Sequence, residues 1–153
     1  MVLPPFSYAD AAISQILGTV HTIAMIGASD RVERPSHEVM TFLQSRGYRV
    51  IPVNPKLAGT VVLGEPVKAS LDEIGIPVDM IDVFRNSAEA GALVDEAIVR
   101  QIPVVWMQLG VEDPAAAARG EAAGVTVVMD RCPKIEILRL GLRPVPGEGA
   151  RGS

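Results

Sequence analysis

The fold is decided by Thr22-Ile23-Ala24-Met25-Ile26-Gly27-Ala28-Ser29, near the start of this 153-residue chain. A short, mostly apolar run that stops at a glycine is typical of a buried strand followed by a sharp turn. Residues 36–45 then carry apolar side chains at helical spacing, and a second apolar run occupies residues 49–53. A strand, a helix and a second strand in this order predict a βαβ unit with two parallel strands.

The same alternation continues along the rest of the chain. The further predicted elements are strands over 80–84, 103–107 and 125–129, helices over 10–20, 88–100, 113–122 and 133–140, an extended piece over 60–63 and one helical turn over 70–74. We expect Ser87 to cap the helix 88–100. This order predicts a Rossmann-like, doubly wound parallel α/β sheet of about five strands with helices on both faces. A single domain is expected over residues 1–142, with a flexible Pro- and Gly-rich tail over 143–153.

The composition narrows the classes of function. The net charge of −4 argues against generic attraction to nucleic acid or to an anionic membrane surface. No apolar run approaches the roughly 20 residues of a membrane helix, and the first residues lack the order of a signal peptide. Cys132 is the only cysteine, so no internal disulfide can form, which suits a reducing compartment. We therefore expect a cytoplasmic protein.

The loop after the first strand has the features of a phosphate site. Gly27-Ala28-Ser29 offers a close backbone approach and a hydroxyl, and Arg34 stands next to the helix start at Pro35-Ser36. The first turn of a helix attracts anions through its free N–H groups and dipole. This loop contains neither the full G-x-G-x-x-G pattern nor a P-loop. A plain turn in which Gly27 serves only geometry therefore stays open as an alternative.

The residues after the second strand favour a phosphorylated ribose. NAD-binding domains usually place an acid here, whereas this strand ends in Val53-Asn54-Pro55-Lys56. A lysine suits the 3′-phosphate of coenzyme A or the 2′-phosphate of NADP better than it suits a plain ribose. The alternative is that Lys56 is a solvated surface lysine.

The third strand adds an aromatic ring and another cation, Phe84 and Arg85. The ring offers an apolar wall to an adenine or a pantetheine, and the guanidinium can reach a phosphate. Core packing for Phe84 and a surface position for Arg85 are the alternatives. The four cations expected at this edge of the sheet are Arg31, Arg34, Lys56 and Arg85. Such a rim on an acidic protein suits a small ligand with several negative charges.

The chain resembles the stand-alone coenzyme A-binding proteins related to the CoA-binding domain of the succinyl-CoA synthetase alpha subunit. The resemblance rests on motifs from residue 22 to residue 140. They are Ile26-Gly27-Ala28-Ser29-Asp30, Arg34-Pro35-Ser36, Val50-Ile51-Pro52-Val53-Asn54-Pro55-Lys56, Asp82-Val83-Phe84-Arg85, Val105-Trp106-Met107-Gln108-Leu109-Gly110 and Met129-Asp130-Arg131-Cys132-Pro133-Lys134-Ile135-Glu136.

The resemblance implies that coenzyme A is the ligand and assigns parts of the chain to parts of it. Gly27-Ala28-Ser29 and Arg34-Pro35-Ser36 would approach the pyrophosphate, and Val53-Asn54-Pro55-Lys56 would hold the adenosine and its 3′-phosphate. Phe84-Arg85 and Met107-Gln108-Leu109 would line the rest of the cleft. The synthetases work through a phosphorylated histidine in a second domain, which this sequence does not contain. We therefore expect binding of coenzyme A or an acyl-CoA without catalytic residues.

Two other side chains invite a chemical role. His37 lies in a helix N-terminal turn, which disfavours a protonated general base, and two histidines with one cysteine make a metal site unexpected. Cys132 precedes a helix and is flanked by Arg131 and Lys134, an arrangement that lowers a thiol pKa. We hypothesise a mixed disulfide between Cys132 and the thiol of coenzyme A. A buried, unreactive cysteine is the alternative.

Two other functions remain open from the residues alone. An NADP-dependent oxidoreductase component would use the same cations but would need a partner chain for its substrate. A ligand-sensing interaction protein would bind the same ligand and act through a protein partner. Either function, like coenzyme A binding, is compatible with a homo-oligomer.

Overall fold

Five parallel strands form the central sheet in this computed structural model, which describes residues 7–146. The strands of the chain are β1 Thr22–Ile26, β2 Arg49–Val53, β3 Val61–Val62, β4 Glu65–Pro66, β5 Met80–Val83, β6 Val104–Met107 and β7 Thr126–Val128. The helices are α1 Asp10–Thr19, α2 Pro35–Ser45, α3 Ser87–Arg100, α4 Pro114–Ala122 and α5 Pro133–Leu140, with a short 3-10 turn at Leu71–Glu73. The sheet order β2-β1-β5-β6-β7 confirms the predicted Rossmann-like, doubly wound α/β fold. The strands β3 and β4 form a separate antiparallel pair.

Helices cover both faces of the sheet because strand residues alternate between two hydrophobic clusters. On β6, Val104 and Trp106 pack with residues of α1, α2 and α5, which defines the first cluster. Val105 and Met107 pack on the other side with α3 and α4, which defines the second cluster. Burial on both sides explains why these strands read as continuous apolar runs.

The cap of α3 differs from the prediction. Asn86, not Ser87, is the N-cap, and its side-chain oxygen accepts a hydrogen bond from the Glu89 N–H at 3.1 Å. The extended backbone of Asn86 lets its amide turn back over the first turn of the helix. Ser87 is the first helical residue, and its hydroxyl instead accepts a bond from the Glu112 N–H at 3.0 Å.

The chain after α5 packs against the end of α2. Val145 is buried, and its N–H donates to the Arg46 carbonyl at 2.9 Å. The Arg46 guanidinium donates to the Leu142 carbonyl. The remainder of the predicted tail, residues 147–153, lies outside the described residues. Within residues 7–146, no helix is long and apolar enough to cross a membrane.

Candidate functional site

A cleft opens where the strand order reverses. Strand β1 pairs with β2 along one edge and with β5 along its other edge, so the chain turns in opposite directions after β1 and after β2. Ligands of doubly wound folds bind at such a switch point, at the carboxyl ends of the strands. The cleft has a volume of about 670 Å³. It is lined by Gly27, Ala28, Ser29, Asp30, Arg31, Arg34, Pro35, Ser36, Asn54, Lys56, Leu57, Phe84 and Arg85.

Gly27 allows the ends of β1 and β5 to meet at the base of this cleft. Its φ is 91°, and a Cβ at this position would lie 2.3 Å from the Phe84 carbonyl oxygen. The Phe84 N–H donates to the Ile26 carbonyl at 2.8 Å, which holds the two strand ends together. Any side chain at position 27 would therefore require the cleft to change shape.

Hydrogen bonds join the loops on the two sides of the cleft. The Asn54 side-chain amide donates to the Ala28 carbonyl at 2.8 Å, which ties the end of β2 to the loop after β1. The Asn54 side-chain oxygen accepts from the Lys56 N–H at 2.9 Å, so it also shapes its own loop. Within the loop after β1, the Arg31 N–H donates to the Ser29 hydroxyl at 3.1 Å. These hydrogen bonds therefore hold the loops that line the cleft in place.

Helix α2 begins at the wall of the cleft. Its N-cap residue, Arg34, has an extended backbone and makes no side-chain capping bond. Pro35 occupies the first helical position, and Ser36 behind it is buried. A helix N-terminus without a side-chain cap is a favourable place for an anion.

The cations of the cleft form no ion pairs within residues 7–146. Arg31, Arg34, Lys56 and Arg85 all line it, as predicted, and Asp30 is the carboxylate in the lining. Five cations elsewhere on the described surface pair with acids. These pairs include Arg49–Glu65, Arg100–Asp72, Arg119–Asp95, Lys134–Glu38 and Arg139–Asp10. The cleft therefore brings four cations without a paired acid together, and an anionic ligand would neutralise their charge.

Other residues predicted for the site lie away from the cleft lining. Val53 is buried beneath it, and Pro55 is exposed beside it. Met107 is fully buried in the second cluster, Gln108 is buried, and Leu109 is exposed. The last three lie at the end of β6, which is separated from β1 by β5. The structure therefore does not bring them to the cleft between β1 and β5.

Cys132 also lies away from the cleft lining. It is the N-cap residue of α5 and is buried in the first cluster. Burial raises the pKa of its thiol, contrary to the expected lowering by the helix N-terminus and neighbouring cations. His37 is not in the cleft either; it lines a shallow groove with Val32 and Phe42.

The sequence interpretation gave no role to Asp82 and did not include Leu57. Leu57 adds an apolar surface to the cleft wall. Asp82 lies in the middle of β5, is fully buried, and has a pKa that burial raises well above its ordinary value. An acid inside an otherwise apolar strand is visible in the sequence, but its burial is not.

A family match accounts for this combination of fold and cleft. Residues 21–137 match the model of a family described as "CoA binding domain". The chain belongs to this CoA-binding domain family. The match runs from the residue before β1 into α5, so it includes the whole sheet and every residue that lines the cleft.

One curated relative and two solved structures show how similar proteins compare with this CoA-binding domain. The uncharacterised protein YneT of Bacillus subtilis (strain 168) is 38% identical over 125 residues, which are 82% of this chain and 91% of YneT. A hypothetical protein from Pyrococcus horikoshii OT3 superposes with a TM-score of 0.84 at 32% identity, over 93% of this chain and 99% of that one. A Thermus thermophilus structure titled cell-free ID.343 has a TM-score of 0.81 at 37% identity, covering 87% and 99% of the two chains.

Proposed function

We propose that this protein binds coenzyme A, or an acyl-CoA, in the cleft between β1, β2 and β5. The observation that carries the proposal is the group of four unpaired cations around one cleft on a chain of net charge −4. Coenzyme A carries a pyrophosphate and a 3′-phosphate, so it offers several negative charges within reach of these side chains. Membership of the CoA-binding domain family supports this ligand.

The pyrophosphate is assigned to the loop after β1 and the start of α2. Gly27 and Ala28 would let it approach the backbone closely, and Ser29 would offer its hydroxyl, while Arg34 and the first turn of α2, Pro35-Ser36, would add positive charge. These groups all line one cleft. This arrangement suits a phosphate diester better than it suits a bulky apolar group.

The adenosine and its 3′-phosphate are assigned to the end of β2. Asn54 shapes the loop, Lys56 supplies the charge, and Val53 and Pro55 support them from below and beside the cleft. Phe84 and Arg85 would form the opposite wall. Gln108 and Leu109, which follow β6, would contact the pantetheine arm where it leaves the cleft, and Met107, buried in the second cluster, would support them from below. No residue is assigned a catalytic role.

NADP competes as a ligand because Lys56 would suit its 2′-phosphate as well. Lys56→Ala should weaken coenzyme A binding by about tenfold, the loss of one charged contact, but should leave 3′-dephospho-coenzyme A nearly unaffected. Calorimetric titration of the ligand-stripped protein measures both. Lys68→Ala, which removes the same charge from a different groove, is the matched control. Equal losses for the two ligands would remove Lys56 from the 3′-phosphate role.

A further inference from the structure

Two buried polar side chains have atoms without hydrogen-bond partners. Asp82 on β5 is fully buried, and neither of its carboxyl oxygens has a partner among residues 7–146. Gln108, directly after β6, is 5% exposed, and its Nε2 has no partner in the same part of the chain. Buried polar atoms of native proteins are nearly always hydrogen-bonded, so these two groups require an explanation.

The two side chains lie on the same face of the sheet, on neighbouring strands. Asp82 is level with Trp106 in the β5–β6 register, and Trp106 belongs to the first cluster. The ladder continues to Gln108, whose N–H donates to the Val83 carbonyl at 3.3 Å. Because side chains alternate, Gln108 projects to the same face as Trp106, one step nearer the carboxyl edge. We refer to Asp82 and Gln108 as the buried polar pair.

The buried polar pair lies directly behind the wall of the cleft. Phe84 follows Asp82 by two residues, so it projects to the same face, and its side chain both lines the cleft and packs against the first cluster. Cys132 also belongs to that cluster. The Phe84 side chain is therefore shared between the phosphate cleft and the cluster face that holds a carboxyl, an amide and a thiol.

We propose that the buried polar pair binds a carbonyl group of the ligand's uncharged arm, either an amide of the pantetheine or the thioester of an acyl-CoA. This inference rests on the proposed function and extends it beyond the nucleotide. The arm reaches the pair when the Phe84 ring turns aside. The phosphates remain at the cations outside.

The chemistry of the pair fits a carbonyl oxygen. Burial raises the pKa of Asp82, which favours the protonated carboxyl, and the O–H of that form can donate a hydrogen bond. Gln108 offers a second donor through Nε2. Two donors facing one region suit an uncharged acceptor, and the low polarity of the surroundings excludes an anion there.

The test compares coenzyme A with adenosine 3′,5′-bisphosphate, which has the nucleotide but no arm. Asp82→Leu and Gln108→Met remove the polar atoms at similar volume. Each should weaken coenzyme A binding by about tenfold, the loss of one good hydrogen bond, while binding of the bisphosphate changes less than about twofold. Thr22→Val, which alters a buried polar residue at the opposite end of the sheet, is the control and should change neither affinity.

Thermal unfolding of the ligand-free variants checks their folding. Both variants should be at least as stable as the wild type, because an unsatisfied polar group is replaced by an apolar one. If Asp82→Leu does not fold, Gln108→Met decides the question alone. Unchanged coenzyme A affinity, or equal losses for both ligands, would overturn the inference and leave the proposed function standing. A wild type that binds neither ligand would overturn both.

Discussion

Gly27→Ala tests the close approach of β1 and β5 on which the cleft depends. The left-handed backbone, with φ 91°, costs an alanine about 1–2 kcal/mol. The added Cβ would also lie 2.3 Å from the Phe84 carbonyl oxygen, a backbone atom that can move only if the strand moves. Relief of such overpacking costs about 1–3 kcal/mol. The free energy of unfolding should therefore fall by about 2–5 kcal/mol in total, and the Tm by roughly 6–15 °C.

Two other glycines separate the contributions to this loss. Gly124 has nearly the same backbone, with φ 88°, but has open space where the Cβ would stand, so Gly124→Ala should cost only the conformational part, about 1–2 kcal/mol. Gly18, in α1, has neither a positive φ nor a neighbour within 4 Å. Gly18→Ala should stabilise the protein by about 0.5–1 kcal/mol.

Urea unfolding of the three variants at one pH gives these values. The expected order of stability is Gly18→Ala above wild type, Gly124→Ala below it, and Gly27→Ala lowest. If Gly27→Ala were no less stable than Gly124→Ala, the contact between Gly27 and Phe84 would not constrain the switch point, and the reasoning about the cleft would be refuted.

Three further predictions concern the buried acid, the cysteine and the cations. Folding raises the pKa of Asp82 above its ordinary value of 3.8, so the stabilising contribution of the protonated carboxyl is complete below pH 3.8 and is lost as the pH rises. In urea unfolding, the stability of Asp82→Asn relative to wild type should therefore increase between pH 4.5 and 8. A difference that stays constant over this range would contradict the prediction. Cys132 should exchange with coenzyme A disulfide, forming a protein–CoA disulfide and releasing one coenzyme A thiol, faster at pH 9 than at pH 7 because burial raises its pKa. Intact-mass spectra follow the adduct, and a pH-independent rate would argue against a thiolate at Cys132. Arg85→Ala should reduce both the affinity for coenzyme A and the dependence of that affinity on salt, whereas Arg143→Ala, outside the cleft, should alter neither. Calorimetric titrations at two salt concentrations measure both quantities.

Much of the fold can be predicted because the apolar runs end at glycine, proline or polar residues. The strands at 22–26 and 49–53 and the helix at 133–140 have the predicted bounds. The cap of α3 was not predictable in the same way. Asn86 and Ser87 are both good caps, and the choice between them depends on backbone angles that the sequence does not display.

The cations of the cleft could be predicted because each lies just after a strand or before a helix, and a parallel sheet brings these points to one edge. The position of Met107, Gln108 and Leu109 depends instead on the order of strands within the sheet. That order places β6 beyond β5, away from β1. The pKa of Cys132 depends on burial by residues distant in sequence, so the local charges around it gave the wrong direction.

The measurement that tests the central claim most directly is a calorimetric titration of the wild-type protein with coenzyme A and, separately, with NADP. The protein is first unfolded and refolded to remove any carried ligand. We predict micromolar or tighter binding of coenzyme A with little binding of NADP, and an affinity that falls with added salt. Tight binding of NADP, or binding of neither ligand, would contradict the assignment of this cleft to coenzyme A.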